Sequence, residues 1–124
     1  MKLELARWSI DVPVGWSVTV TDDQRSVRCV AEGCELSFLH VLPVAEIAGT
    51  AQAETQLRRR VPLGTPELAP HGLDGRSARV YHWRDGGHAV ETWFVEAGFV
   101  LRIDIVSERE RAAADAILAS FHWS

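Results

Sequence analysis

Residues 76–106 constrain the fold more than any other part of the chain. Three runs of alternating apolar and polar side chains, 76–84, 88–96 and 99–106, are separated by Asp85-Gly86-Gly87 and by Ala97-Gly98. A period of two marks half-buried strands. Turns this short can join only antiparallel neighbours, because a parallel crossover needs a dozen or more residues. The chain must therefore build an antiparallel meander and cover at least one of its faces.

The rest of the sequence supplies more strands and the cover. Residues 3–12 alternate, with Trp8, Ile10 and Val12 on one side, until Pro13-Val14-Gly15 breaks the run. Trp16, Val18 and Val20 then alternate again. Residues 26–31 and 35–41 read as a hairpin about Glu32-Gly33. The second of these strands is apolar on both faces and is expected inside the sheet. A helix is expected over 51–60, with Thr50 as its N-cap and Arg58-Arg59-Arg60 offsetting its dipole at the C-terminal end. Pro62, Gly64, Pro66, Pro70, Gly72 and Gly75 make 62–75 a surface loop. Ser107-Glu108-Arg109-Glu110 has the spacing of a capping box, opening a second helix that runs to about Ser120. That helix turns Ala113, Ile117 and Phe121 inward, and Trp123 follows as an apolar plug. The expected class is α+β: one antiparallel sheet of about six to seven strands with two or so helices packed on it.

Length and charge narrow the rest. The 124 residues suit one domain, 1–124, with one hydrophobic core. Thirteen Lys and Arg against 17 Asp and Glu give a net charge of −4 with no basic stripe, so neither nucleic acid nor an anionic membrane surface is an expected partner. Glu4 and Arg7 interrupt any N-terminal apolar stretch, and no apolar run approaches a membrane span, so no direct membrane insertion is expected. A cytoplasmic location follows as an expectation, and with it free thiols at Cys29 and Cys34. The five histidines, His40, His71, His82, His88 and His122, lack metal-ligand spacing, and no phosphate-loop or dinucleotide motif is present. No cofactor and no metal are expected.

If both meander turns are two-residue loops, Gly86-Gly87 and Ala97-Gly98, the cross-strand partners can be counted. One face then collects Tyr81, Trp83, Val90, Thr92, Phe94, Leu101, Ile103 and Ile105 as core. The opposite face sets Val80, Trp93 and Arg102 in one row and His82, Glu91 and Asp104 in the next, extended by Val95 and Val100. Side chains opposed in this way lie close enough to touch. Trp93 beside Arg102 has the residue types of a binding patch. The row of His82, Glu91 and Asp104 has the types of an acid–base set, but no nucleophile stands beside it. The eight residues Val80, His82, Glu91, Trp93, Val95, Val100, Arg102 and Asp104 are thus the candidate partner-binding face, and no catalytic residue is assigned.

Two short motifs give a resemblance. Trp8-Ser9-Ile10-Asp11-Val12-Pro13-Val14-Gly15-Trp16 resembles the opening of the PsbP-like superfamily, and Ala116-Ile117-Leu118-Ala119-Ser120-Phe121 resembles its closing helix. That superfamily includes photosystem extrinsic subunits, a Ran-binding nuclear import factor, bacterial lipoproteins and the EagR-type chaperones of type VI secretion effectors. The resemblance implies a PsbP-like α/β/α sandwich. Pro62-Leu63-Gly64 after Leu57-Arg58-Arg59-Arg60 is closest in style to the cytosolic EagR-type branch. That branch implies a non-enzymatic protein, often a homodimer, that shelters an apolar helical client.

The reading from sequence is therefore a non-enzymatic protein-binding module, with a chaperone or adaptor for a type VI secretion effector as its specific form. A small-molecule-binding domain or minor hydrolase using the His82, Glu91 and Asp104 row is the alternative. A closed pocket around that row would favour the second, and an exposed apolar patch on the sheet the first.

Overall fold

In the computed structural model, residues 1–40, 55, 58–59, 61–95, 98–106 and 108–124 are described. Ten strands are present among them: β1 (Lys2–Glu4), β2 (Trp8–Asp11), β3 (Ser17–Val20), β4 (Ser26–Ala31), β5 (Cys34–His40), β6 (His71–Leu73), β7 (Arg76–Asp85), β8 (His88–Val95), β9 (Phe99–Ile105) and β10 (His122–Trp123). One α-helix, α1 (Arg111–Ala119), follows a 3-10 turn at Glu108–Glu110. The sequence suggested two or so helices. Most of the first, 51–60, lies outside the described residues, of which Thr55 and Arg58 are helical.

The strands form two antiparallel sheets rather than one. The large sheet has seven strands in the order β3-β4-β5-β9-β8-β7-β6, and β1-β2-β10 form a small sheet. The expected strand over 3–12 is in fact two. Leu5 N–H donates to the Trp8 carbonyl at 2.9 Å, closing a turn, and β1 folds back on β2 with Leu3 opposite Ile10. No glycine or proline marks that turn, so alternation alone reads straight through it. Trp123 packs against the core beside Phe99 and Phe121, and it also pairs with Trp8 as the end of β10. The stretch 62–75 is not wholly loop either. It contributes β6 and a bridge from Glu67 to Tyr81.

The inner face of the large sheet carries the core. Val27, Cys29, Leu36, Phe38, Val80, Phe99, Leu101 and Ile103 are buried there, and Trp8, Ile10 and Val12 of β2 close over them. Trp8 stacks on Phe121 at 5.3 Å and meets Phe38 and Phe99 at the same centroid distance. Helix α1 lies against β2 and β5 and buries Ala114 and Ile117 rather than Ala113. The expected capping box falls on Ser107, which lies outside the described residues. Glu110 occupies the N-cap position of α1 with no side-chain cap bond, and its carboxylate takes Arg109 at 3.4 Å. Cys29 and Cys34 are free and buried, and burial pushes both thiols up to about 11.

The first meander turn is as threaded. Gly86 and Gly87 both have positive φ, +55° and +88°, and Asp85 stands opposite His88. Gly-Gly suits two such residues in succession, because neither has a Cβ to clash in the left-handed region. The second turn differs by one residue. Val95, not residue 96, stands opposite Phe99, so three residues separate the strands. Gly98, at φ +78°, has the left-handed conformation that ends a three-residue hairpin loop.

Candidate protein-binding face

That single residue turns β9 over relative to β8. Val80 and Trp93 now stand in register with Leu101, not Arg102, and His82 and Glu91 with Ile103, not Asp104. Val80, His82, Glu91, Trp93 and Val95 face inward. Val100, Arg102 and Asp104 face outward. The sequence-derived set of eight is thus divided between two faces, and the row of His82, Glu91 and Asp104 is not brought together.

The inward members other than His82 are buried. Val80, Trp93 and Val95 are buried. Glu91 is buried too, and its two oxygens are occupied. Oε1 accepts the Trp93 indole N–H at 2.6 Å, and Oε2 accepts both terminal guanidinium nitrogens of Arg111 at 3.3 Å. The imidazole of His71 stacks on Trp93 at 5.2 Å. His82 is exposed.

The outward face has a different character. Two adjacent rows cross its centre. In one, Arg28, Ser37, Arg102, Thr92 and Tyr81 are in register; in the next, Val30, Glu35, Asp104, Val90 and Trp83. Each basic side chain reaches across to the acidic row. Arg28 holds Glu35 through two bonds, the longer at 3.1 Å, and Arg102 holds Asp104 at 3.0 and 3.2 Å. Ser37 adds a bond to Glu35 at 3.5 Å. The Arg28 guanidinium holds the Glu35 carboxyl below its ordinary range, with smaller help from Ser37 and Arg102 against the opposing effect of burial.

Trp83 ends the acidic row, and the Arg102 guanidinium lies 5.9 Å from its ring centroid. Both are half-buried, as are Val100, two residues along β9 from Arg102, Leu39 opposite Val100, and Val30 at the other end of the acidic row. Further along the same face, Arg58 lies 5.9 Å from the rings of Tyr81 and Phe94, and Phe94 is buried. The part that remains open is the β4–β5–β9 centre, where the side chains of Arg28, Glu35, Arg102 and Asp104 keep 60%, 30%, 33% and 22% exposure.

Sequence reading assigned Trp83 to the core and did not single out Arg28, Glu35 or Ser37. The signal for the last three was present. The hairpin about Glu32-Gly33 sets Arg28 opposite Ser37 and Val30 opposite Glu35, with Cys29 and Leu36 on the other face. Among the described residues no group of three His, Cys, Asp or Glu side chains could hold a metal ion, and no helix is long and apolar enough to cross a membrane.

No protein-family model and no curated protein sequence matches the chain. Its structure is similar to the solution structure of cyanobacterial PsbP (CyanoP) from Synechocystis sp. PCC 6803. The TM-score is 0.51 at 12% identity, over 94% of this chain and 86% of that one. The fold is PsbP-like. At that identity the likeness speaks for architecture alone, and it agrees with the fold implied by the opening and closing motifs. Within the PsbP-like architecture, the open outer face described above is a property of this chain's own residues.

Proposed function

We propose that this PsbP-like chain is a non-enzymatic protein-binding module that docks an amphipathic helical segment of a partner protein on the open outer face of its large sheet. The observation that carries the reading is the placement of Arg102 on the outer face, paired with Asp104, 5.9 Å from the Trp83 ring on one side, and next to half-buried Val100 and Leu39 on the other. A tryptophan and an arginine set among aliphatic side chains combine large apolar area with directional donors, the composition of binding hot spots. Glu35 and Asp104 in one row and Arg28 and Arg102 in the next offer a helix both signs of charge, which favours one orientation over its reverse.

The chaperone form of this reading has the client present an apolar stripe to Trp83, Val100 and Leu39 and polar groups to the two rows. Its assignment to type VI secretion rests on the resemblance of residues 57–64 to the EagR-type proteins. The hydrolase alternative loses its main support, since Asp104 lies on the opposite face from His82 and Glu91. The test is affinity capture from source-cell extract with wild type and with Trp83→Ala, quantified side by side. A protein retained by wild type and lost with the variant supports the reading. Identical captured sets would count against it.

A further inference from the structure

The two guanidiniums at the centre of the outer face are each tied down along one edge only. Arg28 gives Nε and Nη2 to the two oxygens of Glu35, and Arg102 gives Nε and Nη2 to the two oxygens of Asp104. A guanidinium has more N–H donors than one carboxylate can take. Among the described residues nothing takes Nη1 of either arginine. Each therefore keeps a second edge, Nη1 with the remaining N–H of Nη2, in the geometry that holds a carboxylate. The acidic row has less to offer, because both oxygens of Glu35 and both of Asp104 already accept an N–H. The unused capacity of this face is donor capacity.

The register gathers that capacity around one residue. Arg28 on β4 and Arg102 on β9 are both in register with Ser37 on β5, so they flank it from its two sides. At ordinary strand spacing the two arginine Cα positions stand about 10 Å apart across it. Ser37 is short, and its hydroxyl is engaged with Glu35 at 3.5 Å. Along the strands the neighbouring rows differ. Toward the start of β5, Glu35 stands opposite Asp104; toward its end, Leu39 stands opposite Val100. The order along β5 is thus acidic, basic, apolar, with a step of about 6.8 Å from row to row. Four residues of an α-helix advance about 6 Å, which nearly matches that step.

We propose that the helix docked on this face carries an acidic side chain that enters between Arg28 and Arg102 above Ser37, with an apolar residue four positions later resting on Leu39 and Val100. The inference rests on the outer-face reading and names the recognition motif of its partner: Glu or Asp, any three residues, then a large apolar residue. The carboxylate meets two unused guanidinium edges, so both ion pairs of the face survive its arrival. The acidic row sets the polarity. A helix N-terminus carries partial positive charge, so the first turn belongs over Glu35 and Asp104 and the helix runs toward Leu39 and Val100. A second acid four positions before the first would face Glu35 and Asp104 and be repelled, so a general excess of acids does not serve.

The experiment titrates the full chain calorimetrically with three alanine-based helical peptides. The first carries Glu with Leu four residues after it, the second has Gln in place of the Glu, and the third has the Leu four residues before the Glu. The first should bind about tenfold more tightly than either of the others, the size of one hydrogen-bonded charge contact. Arg28→Gln and Arg102→Gln should each remove most of the preference for Glu over Gln. Arg25→Gln, which removes an arginine held by Asp23 at 3.9 Å in the β3–β4 turn, should leave it intact. A Glu preference that survives Arg28→Gln and Arg102→Gln would overturn the placement of the carboxylate. Equal binding of all three peptides, lost with Trp83→Ala, would overturn the motif and leave the docking face standing. Binding by none of them would overturn both.

Discussion

Trp93 donates its indole N–H to Glu91 Oε1 at 2.6 Å, two residues away on the same strand and the same face. With Arg111 on the other carboxylate oxygen, this contact ties the helix α1 to the middle of the sheet. Glu91→Ala should cost about 1–3 kcal/mol, because it leaves the buried Trp93 indole N–H without its acceptor, while Arg111 keeps its ion pair with Asp115 at 3.2 Å. Glu91→Gln should cost less, since an acceptor remains. Urea denaturation measures both, and equal stability of Glu91→Ala and wild type would show that the contact does not tie the elements.

Trp93→Ala should unfold much of the stability margin, about 3–5 kcal/mol, because the indole is buried between His71 and the Glu91 carboxylate. Trp83→Ala, on the outer face, should cost distinctly less. Thermal melts of the two variants compare them directly, and the reverse order would mean that β8 and β9 are paired in the other register.

How much of this was legible in sequence turns on two loops. Gly86-Gly87 is self-announcing: two consecutive residues at positive φ leave a two-residue turn as the natural solution, and every partner across β7 and β8 follows from it. The second turn has one glycine, which serves equally at the end of a two- or a three-residue loop. That ambiguity of one residue exchanged Arg102 for Leu101 beside Trp93 and dissolved the row of His82, Glu91 and Asp104. The amphipathic faces of β4 and β5 were readable. The turn at residues 5–7 and the strand β6 were not, because β1 and β6 are three-residue hairpin arms, too short to show an alternation of their own, each paired with the strand that follows it: Leu3 with Ile10, His71 with Ala78.

The thiols offer a test of burial. At pH 8, Cys29 and Cys34 should resist Ellman's reagent for many minutes in the native protein, because desolvation holds both near pKa 11. Both should react at once in guanidinium. Rapid labelling of either in the native state would contradict the placement of β4 and β5 against the core.

Glu35 sets a pH dependence. Its carboxyl is held below the ordinary value of 4.5 by the Arg28 guanidinium, so the folded state favours the charged form. The stabilisation is fully present above the unfolded carboxyl's titration and is lost as pH falls through the lowered folded value. The stability difference between wild type and Glu35→Gln should be constant at neutral pH and shrink on acidification below 4.5. A difference that grows on acidification would reverse the sign and place Glu35 in an environment that favours its neutral form.

The outer-face account is tested most directly by calorimetric titration of the chain with the protein encoded beside it, repeated with Trp83→Ala, Arg102→Ala and His82→Ala. The account predicts that Trp83→Ala weakens binding by about 2 kcal/mol or more, roughly 30-fold, with Arg102→Ala a smaller loss and His82→Ala none. Binding that is unchanged by Trp83→Ala and Arg102→Ala, or that depends on His82 instead, would contradict it.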